Sequence, residues 1–240
     1  METNPGMVNL VSWWKLDEAS GNALDSHSTN ELVETIGTIA SAAGKVNNAR
    51  DFEDGDTEYF EIASNASLQF ADAAFSIGCW YKPESTGGGQ YIMGKWNQTN
   101  NRREYVLVKN ASGEIRFIIS QNGTDTTTVL SGVTPSAGTW YFIVARHDPA
   151  SNTIHIKVSA SADVSAAHST GCNANTSPFR IGAEGSSTPI AGTYTDGLVD
   201  EAFLFNDYLT DDEIDWLYNS GNGRTYDDLL AGGGQVIFFD

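Results

Sequence analysis

Alternating apolar and polar positions dominate the chain as far as Phe205, and the three-to-four-residue apolar period of a helix appears only beyond Leu209. In residues 10–16, Trp14 and Leu16 fall on one face of a predicted strand and Trp13 and Lys15 on the other. The same pattern predicts strands at 31–38, 49–52, 59–62, 75–82, 90–96, 104–109, 114–120, 126–130, 140–146 and 153–159, with one helical turn at 65–70. Asn122-Gly123 suits a hairpin turn, and HDPASN at 147–152 separates another strand pair. The small, polar residues 160–177 are hard to place. In a last strand, 197–205, Leu198, Ala202 and Leu204 share one face and Val199, Phe203 and Phe205 the other. Asn206 and Asp207 end that strand. Thr210, three residues before Glu213, makes the reciprocal pattern of a capping box; Ile214, Leu217 and Tyr218 stripe the helix that follows, and Gly221 stops it.

About a dozen short strands with no helix before Leu209 must bury their apolar faces against one another, which predicts an all-β, two-sheet antiparallel sandwich. One short C-terminal helix and an extended tail complete it. The 24 glycines, with many Ser, Thr, Asn and Asp residues, supply the turns, and 240 residues fit one large sandwich. No repeat of roughly 20–50 residues is visible. No apolar run approaches the roughly 20 residues that cross a bilayer, so membrane insertion is not expected.

Composition narrows the partners. Thirty-one acidic and 13 basic residues leave a formal charge of -18, which repels phosphate backbones and makes nucleic acid a poor partner. Such a surface is either a solvated, aggregation-resistant shell or one on which some carboxylates converge on a hard cation such as calcium. Cys79 shares a strand face with Ile77 and Tyr81, while Cys172 lies in the polar STGCNANTS; they form no zinc or CxxC motif, and a buried free Cys79 is expected rather than a disulfide. His27, His147, His155 and His168 are scattered, and no GxSxG or phosphate-cradling loop occurs. The glycine runs at 87–90 and 231–235 read as hinges. METNPGMVNL lacks the basic segment and apolar core of a secretory signal.

Five stretches then resemble one family in its own order: LVSWWKLDEASGNALDS at 10–26, GKVNNARDFEDGDTEYFEIASNASL at 44–68, FSIGCWYKP at 75–83, GTWYFIVARHD at 138–148 and VDEAFLFNDYLTDDEI at 199–214. They are similar to laminin G-like domains of the concanavalin A-like lectin/glucanase superfamily, and PFRIGA at 178–183 fits the strand that usually precedes the last. The resemblance implies a jelly roll with first and last strands adjacent, a domain at 8–221, an N-terminal arm at 1–7 and a tail at 222–240. It also implies a structural calcium ion, with Asp17, Glu18 and Asp25 at the end of the first strand and Asp200 alongside. The alternative is that Asp17 and Asp25 only make turn hydrogen bonds while Asp200 satisfies buried amides. The acidic cluster at 51–58 is the second choice.

The family uses either a sheet face or the loops at one rim for ligands. Trp13, Tyr91, Trp96, Tyr105, Phe203 and Phe205 are the aromatics least committed to the core and thus the candidate sugar-stacking residues, although aromatics in strands more often pack. Laminarinase-type glucanases share the superfamily, and Glu213-Ile214-Asp215-Trp216-Leu217-Tyr218 invites comparison with their catalytic strand. Its last position is Tyr218, however, and it begins at a helix cap, so no active site is expected.

Related modules work outside cells, which places this one extracellularly or on a virion surface. The expected function is a non-catalytic, lectin-like recognition or structural module that binds glycan or a surface protein and is displayed on a larger assembly such as a virion. A free extracellular carbohydrate-binding adhesion module is the alternative, with a glycan-cleaving enzyme behind it. The strand-prone Val236, Ile237, Phe238 and Phe239, after a run of glycines, are the candidate attachment residues to a homo-oligomer or virion scaffold, the alternative being that they dock on the chain's own sheet edge.

Overall fold

A computed structural model describes residues 2–232. Those residues hold β1 (Leu10–Trp14), β2 (Val33–Thr35), β3 (Ala40–Ala43), β4 (Asn48–Phe52), β5 (Tyr59–Ile62), β6 (Phe75–Pro83), β7 (Gln90–Asn97), β8 (Arg102–Lys109), β9 (Ile115–Ser120), β10 (Thr126–Leu130), β11 (Tyr141–Asp148), β12 (Thr153–Val158), β13 (Val164–Ala167), β14 (Phe179–Ile181) and β15 (Gly197–Phe205), then α1 (Asp211–Tyr218) and α2 (Tyr226–Gly232). The expected attachment residues Val236, Ile237, Phe238 and Phe239 lie outside the described residues.

Two antiparallel sheets face each other as a jelly-roll sandwich. The eight-stranded sheet runs β13-β12-β11-β6-β15-β4-β3, with β1 also on β15; the seven-stranded sheet runs β10-β9-β8-β7-β14-β5-β2. β15 is the hub of the first sheet. One edge pairs β6, and the other is divided between β4 at Gly197–Val199 and β1 at Ala202–Phe205. First and last strands are therefore adjacent. Trp14, Phe52, Phe60, Phe75, Tyr105 and Phe117 fill the space between the sheets. Cys79 and Cys172 are both buried and free.

A third layer covers the outer face of the eight-stranded sheet. Thr210 caps α1 with both halves of the capping box in place. Ile214 and Leu217 of α1 and Leu229 of α2 pack on Trp13, Trp80, Phe142, Phe203 and Phe205. Trp13 stacks on Phe203 with ring centroids 5.1 Å apart. The N-terminal arm belongs to this layer as well: Met7 packs against it, and Asn4 Nδ2 donates to the carbonyls of Asp228 and Leu229, each at 3.3 Å. The arm and the first residues of the 222–240 segment thus pack together on the sandwich.

Four sequence expectations change. The predicted strand 31–38 is only Val33–Thr35, and β3 follows it unannounced, because Ala-Ser-Ala-Ala carries no alternation. β13 lies within the unplaced 160–177 segment. α2 was not foreseen in 222–240. In β15, Val199 points inward with Ala202 and Leu204 rather than outward with Phe203 and Phe205. A β-bulge between Asp200 and Phe203, with Glu201 at φ 47°, inserts the extra residue that switches the phase.

Phe203→Ala removes the ring on which Trp13 stacks and should cost about 3–5 kcal/mol in urea unfolding, the usual loss for a large buried aromatic. A loss below 1 kcal/mol would mean the helical layer rests on the sheet without close packing.

Candidate functional site

Among the described residues, no helix covers the outer face of the seven-stranded sheet. Val106, Val108 and Ile118, contributed by the neighbouring strands β8 and β9, form an apolar strip on which Trp96 and Tyr91 pack. Register shifts in the β7–β8 pair, at Tyr91/Met93 and Lys95/Trp96, set Trp96 opposite Arg103. Gly94 accepts this because its φ is 151° and an added Cβ would sit 2.4 Å from the Tyr105 carbonyl oxygen. Arg103 lies over the Trp96 ring at 5.9 Å and donates through Nη1 to the carbonyls of Gly123 and Thr124.

Trp96 is only 4% exposed and serves as support, whereas Tyr91 keeps part of its ring open. Tyr91 lines a cleft of about 250 Å³ with Gln90, Val108, Asn110, Arg116 and Thr193. The loop after β14 holds one wall: the Tyr91 amide donates to the Thr193 carbonyl, and Thr195 Oγ1 donates to the Tyr91 carbonyl. Burial and then the Glu184 carboxylate push the Tyr91 hydroxyl up, with Arg116 and Arg103 opposing. An aromatic ring beside amide, hydroxyl and guanidinium groups can stack on a sugar face and bond its hydroxyls.

The other expected aromatics are elsewhere. Tyr105 is in the inter-sheet core, its hydroxyl donating to the Leu68 carbonyl at 2.9 Å. Trp13, Phe203 and Phe205 lie under the helices and are at most 1% exposed. These four are packing residues: Tyr105 faces the opposite sheet, and for Trp13, Phe203 and Phe205 the strand face expected to meet solvent meets a third layer instead. A larger cleft of about 410 Å³ opens at the rim between Leu10, His27, Asn30, Ser67, Phe70 and Asn206. Its lining holds no Lys, Arg, Asp or Glu, its Asn30 and Ser67 are hydrogen-bonded to each other, and its Phe70 ring is stacked on Phe75. The smaller sheet-face cleft has the better chemistry for a sugar.

The four expected calcium ligands are separated in role. Asp25 is spent on its own turn, accepting from the amides of Trp13, His27 and Asn30 and from Ser28 Oγ. Asp17 Oδ1 accepts from the Asn48 amide and Glu18 Oε1 from the Leu24 amide. Asp200, fully buried, accepts through Oδ2 from the amides of Lys45 and Val46 at 2.7 and 2.8 Å. Glycine at 44 permits this closure, since a Cβ there would lie 2.7 Å from the same oxygen. Among the described residues, Asp200 Oδ1 and one oxygen of its neighbour Glu201 have no hydrogen-bond partner; the other Glu201 oxygen accepts from Trp13 Nε1. Burial above all, then the Asp17 charge, pushes Asp200 up to about 8 against the pull of the two amides. No three of Asp17, Glu18, Asp25 and Asp200 bring carboxylate oxygens within 4.8 Å of one another. Among the described residues, the three carboxylates that do converge are Asp51, Glu53 and Glu84, with oxygens within 4.8 Å of one another. Asp51 and Glu53 belong to the second-choice cluster; Glu84 follows the end of β6 and had no signal in the sequence.

The model of the concanavalin A-like lectin/glucanases superfamily, laminin G type, matches residues 54–215. The chain belongs to that family. Solved structures give the same fold. The binding domain of Paraclostridial Mosquitocidal Protein 1 aligns with a TM-score of 0.70 at 14% identity, over 89% of this chain and 52% of that one. Domain 4 of AbnA, a GH43 extracellular arabinanase from Geobacillus stearothermophilus solved with arabinotriose, gives 0.64 at 16%, over 90% and 98%. The binding domain of Botulinum Neurotoxin DC in complex with SialylT gives 0.66 at 13%, over 89% and 52%. This laminin G-like chain spans about half the length of the first and third of these. No curated protein matches it.

In this laminin G-like domain the glucanase-like segment is helical and its carboxylates are occupied. Glu213 completes the α1 capping box, and Asp215 pairs with Lys157 at 2.6 Å.

The buried Asp200 sets a pH dependence. Its carboxyl keeps a proton to about pH 8 in the folded chain but releases it near 3.8 when unfolded. The unfolded state therefore binds fewer protons, and this contribution to stability is complete below 3.8, falls as pH rises, and is lost above about 8. Asp200→Asn, compared with the parent in chelator, should gain melting temperature relative to it across that window and hold a constant difference above it. Parallel melting profiles would show that Asp200 ionises normally.

Proposed function

We propose that this laminin G-like domain is a non-catalytic recognition module that binds glycan on the outer face of its seven-stranded sheet. The observation that carries this reading is the partly open Tyr91 ring, set in a polar cleft on the sheet face that the helices leave free. The arabinotriose complex of AbnA domain 4 and the SialylT complex of the neurotoxin domain support a sugar as the ligand class. The commitment of Glu213 and Asp215 to a cap and an ion pair supports recognition over cleavage. An extracellular or surface setting, and display on an oligomer or virion-like assembly through Val236–Phe239, are the finer parts of the proposal and rest on sequence alone.

Tyr91→Ala should weaken retention on the recognised polysaccharide about tenfold, the worth of one stacked ring, with an unchanged melting curve. Neither protein should release reducing ends from laminarin, xylan or alginate. Equal retention of parent and variant would move the site elsewhere, and sugar release would overturn the non-catalytic reading.

Calcium enters as a structural ligand in the same proposal. Two positions suit it: the unpartnered buried oxygens of Asp200 and Glu201, and the converging Asp51, Glu53 and Glu84. Calcium at a hundredfold excess over its dissociation constant stabilises the fold by about 2.7 kcal/mol, so chelator should lower the melting temperature. Asp200→Asn or Glu53→Gln, whichever removes that sensitivity, names the position; a parent melting curve indifferent to chelator removes calcium from the reading.

A further inference from the structure

We infer that the sheet-face site selects a carboxylate-bearing sugar, an inference that rests on the glycan reading of that face. The chain carries a formal charge of -18, with 31 acidic residues to 13 basic ones, so a cation on a ligand-facing surface has many acids to choose from. Several cations are paired with acids: Arg50 with Glu34, Lys95 with Glu104, Arg146 with Asp163, Lys157 with Asp215 and Arg180 with Glu61. Lys109, which also lines the cleft, is spent on the Ser85 and Gly87 carbonyls. Arg103 and Arg116 have no carboxylate partner among the described residues, and both charges reach the Tyr91 hydroxyl. Arg103 uses only Nη1, on two carbonyls. The Arg116 guanidinium makes no hydrogen bond or ion pair there; its Nε is buried and unpartnered, and the side chain lines the Tyr91 cleft.

Three nearby acids are engaged by other groups. Glu184 accepts from Ser186 Oγ and the Gln98 amide, Glu61 holds Arg180, and Glu114 accepts from the Gly132 amide. The Arg116 guanidinium fork and the partly open Tyr91 ring thus line one cleft, and the charge of Arg116 is unspent among the described residues. A planar fork matches a carboxylate in two parallel hydrogen bonds, whereas a neutral hydroxyl leaves most of the charge unanswered. The net negative charge does not forbid an anionic ligand, because charges farther off than about 8 Å are screened at physiological salt.

Carboxylates occur in two sugar sources, hexuronic acids and sialic acids. Binding to the full chain is therefore measured by titration calorimetry with trigalacturonate, sialyllactose and neutral arabinotriose, for the parent, Arg116→Gln, Arg116→Lys and Tyr91→Ala. At least one acidic sugar should bind about tenfold or more above arabinotriose. Arg116→Gln should bring that sugar down to the neutral level at an unchanged melting temperature, and Arg116→Lys should restore part of the difference. The acidic arm that responds identifies the source. Arabinotriose binding as tightly as both acids, lost in Tyr91→Ala but untouched by Arg116→Gln, overturns the carboxylate inference and leaves the sheet-face reading standing. Binding untouched by either Tyr91→Ala or Arg116→Gln, or no binding of any sugar, overturns the reading of this face as well.

Discussion

Every residue of β15 from Gly197 to Phe205 is buried, so both faces of one strand must be covered by protein. A two-layer sandwich covers only one face. The other is closed by α1, α2 and the N-terminal arm, and this requirement accounts for the capped helix, the docked Asn4 and the Trp13–Phe203 stack together. It also accounts for the chemistry of Asp200 and Glu201. A bulge turns both into a buried region, and burial then favours their protonated forms, with the Lys15 charge opposing this only weakly at Glu201.

The same constraint explains where sequence reading succeeded and where it failed. Period-two alternation was enough to find nearly all the longer strands, because each has one face in a single shared core. The capping box at Thr210 and Glu213 was legible for a local reason: both partners lie within one helical turn. Val199 was placed on the wrong face because a bulge adds a residue without leaving a mark in the hydrophobic pattern. Trp13, Phe203 and Phe205 looked free for ligand because the outward face of a sandwich strand normally meets water, and nothing in β15 announces a third layer. Tyr91 and Trp96 were legible as aromatics with no clear place in the core. Arg103 and Arg116 were not, since a missing acidic partner is a property of the folded surface and not of any window of sequence.

Cations in this protein serve two ends that the fold keeps apart. Lys95 and Glu104 are fully buried at 3.0 Å, where Lys95 also donates to Ser64 Oγ; removing either partner would strand a charge in the interior. The register shift at Lys95/Trp96 that turns this pair inward leaves Trp96 and Arg103 facing outward. One irregularity in one strand pair thus gives the core an ion pair and the surface a guanidinium over an indole.

Asn4 meets the carbonyls of Asp228 and Leu229, so both ends of the described chain leave the sandwich from its helical side. The Tyr91 cleft opens on the opposite side, beyond both sheets. Any tether joined at either end would therefore hold the domain by its back, with the cleft turned away from the anchor. Many copies fixed this way to a common support would all present the same face outward, and weak single contacts would add up across them as avidity.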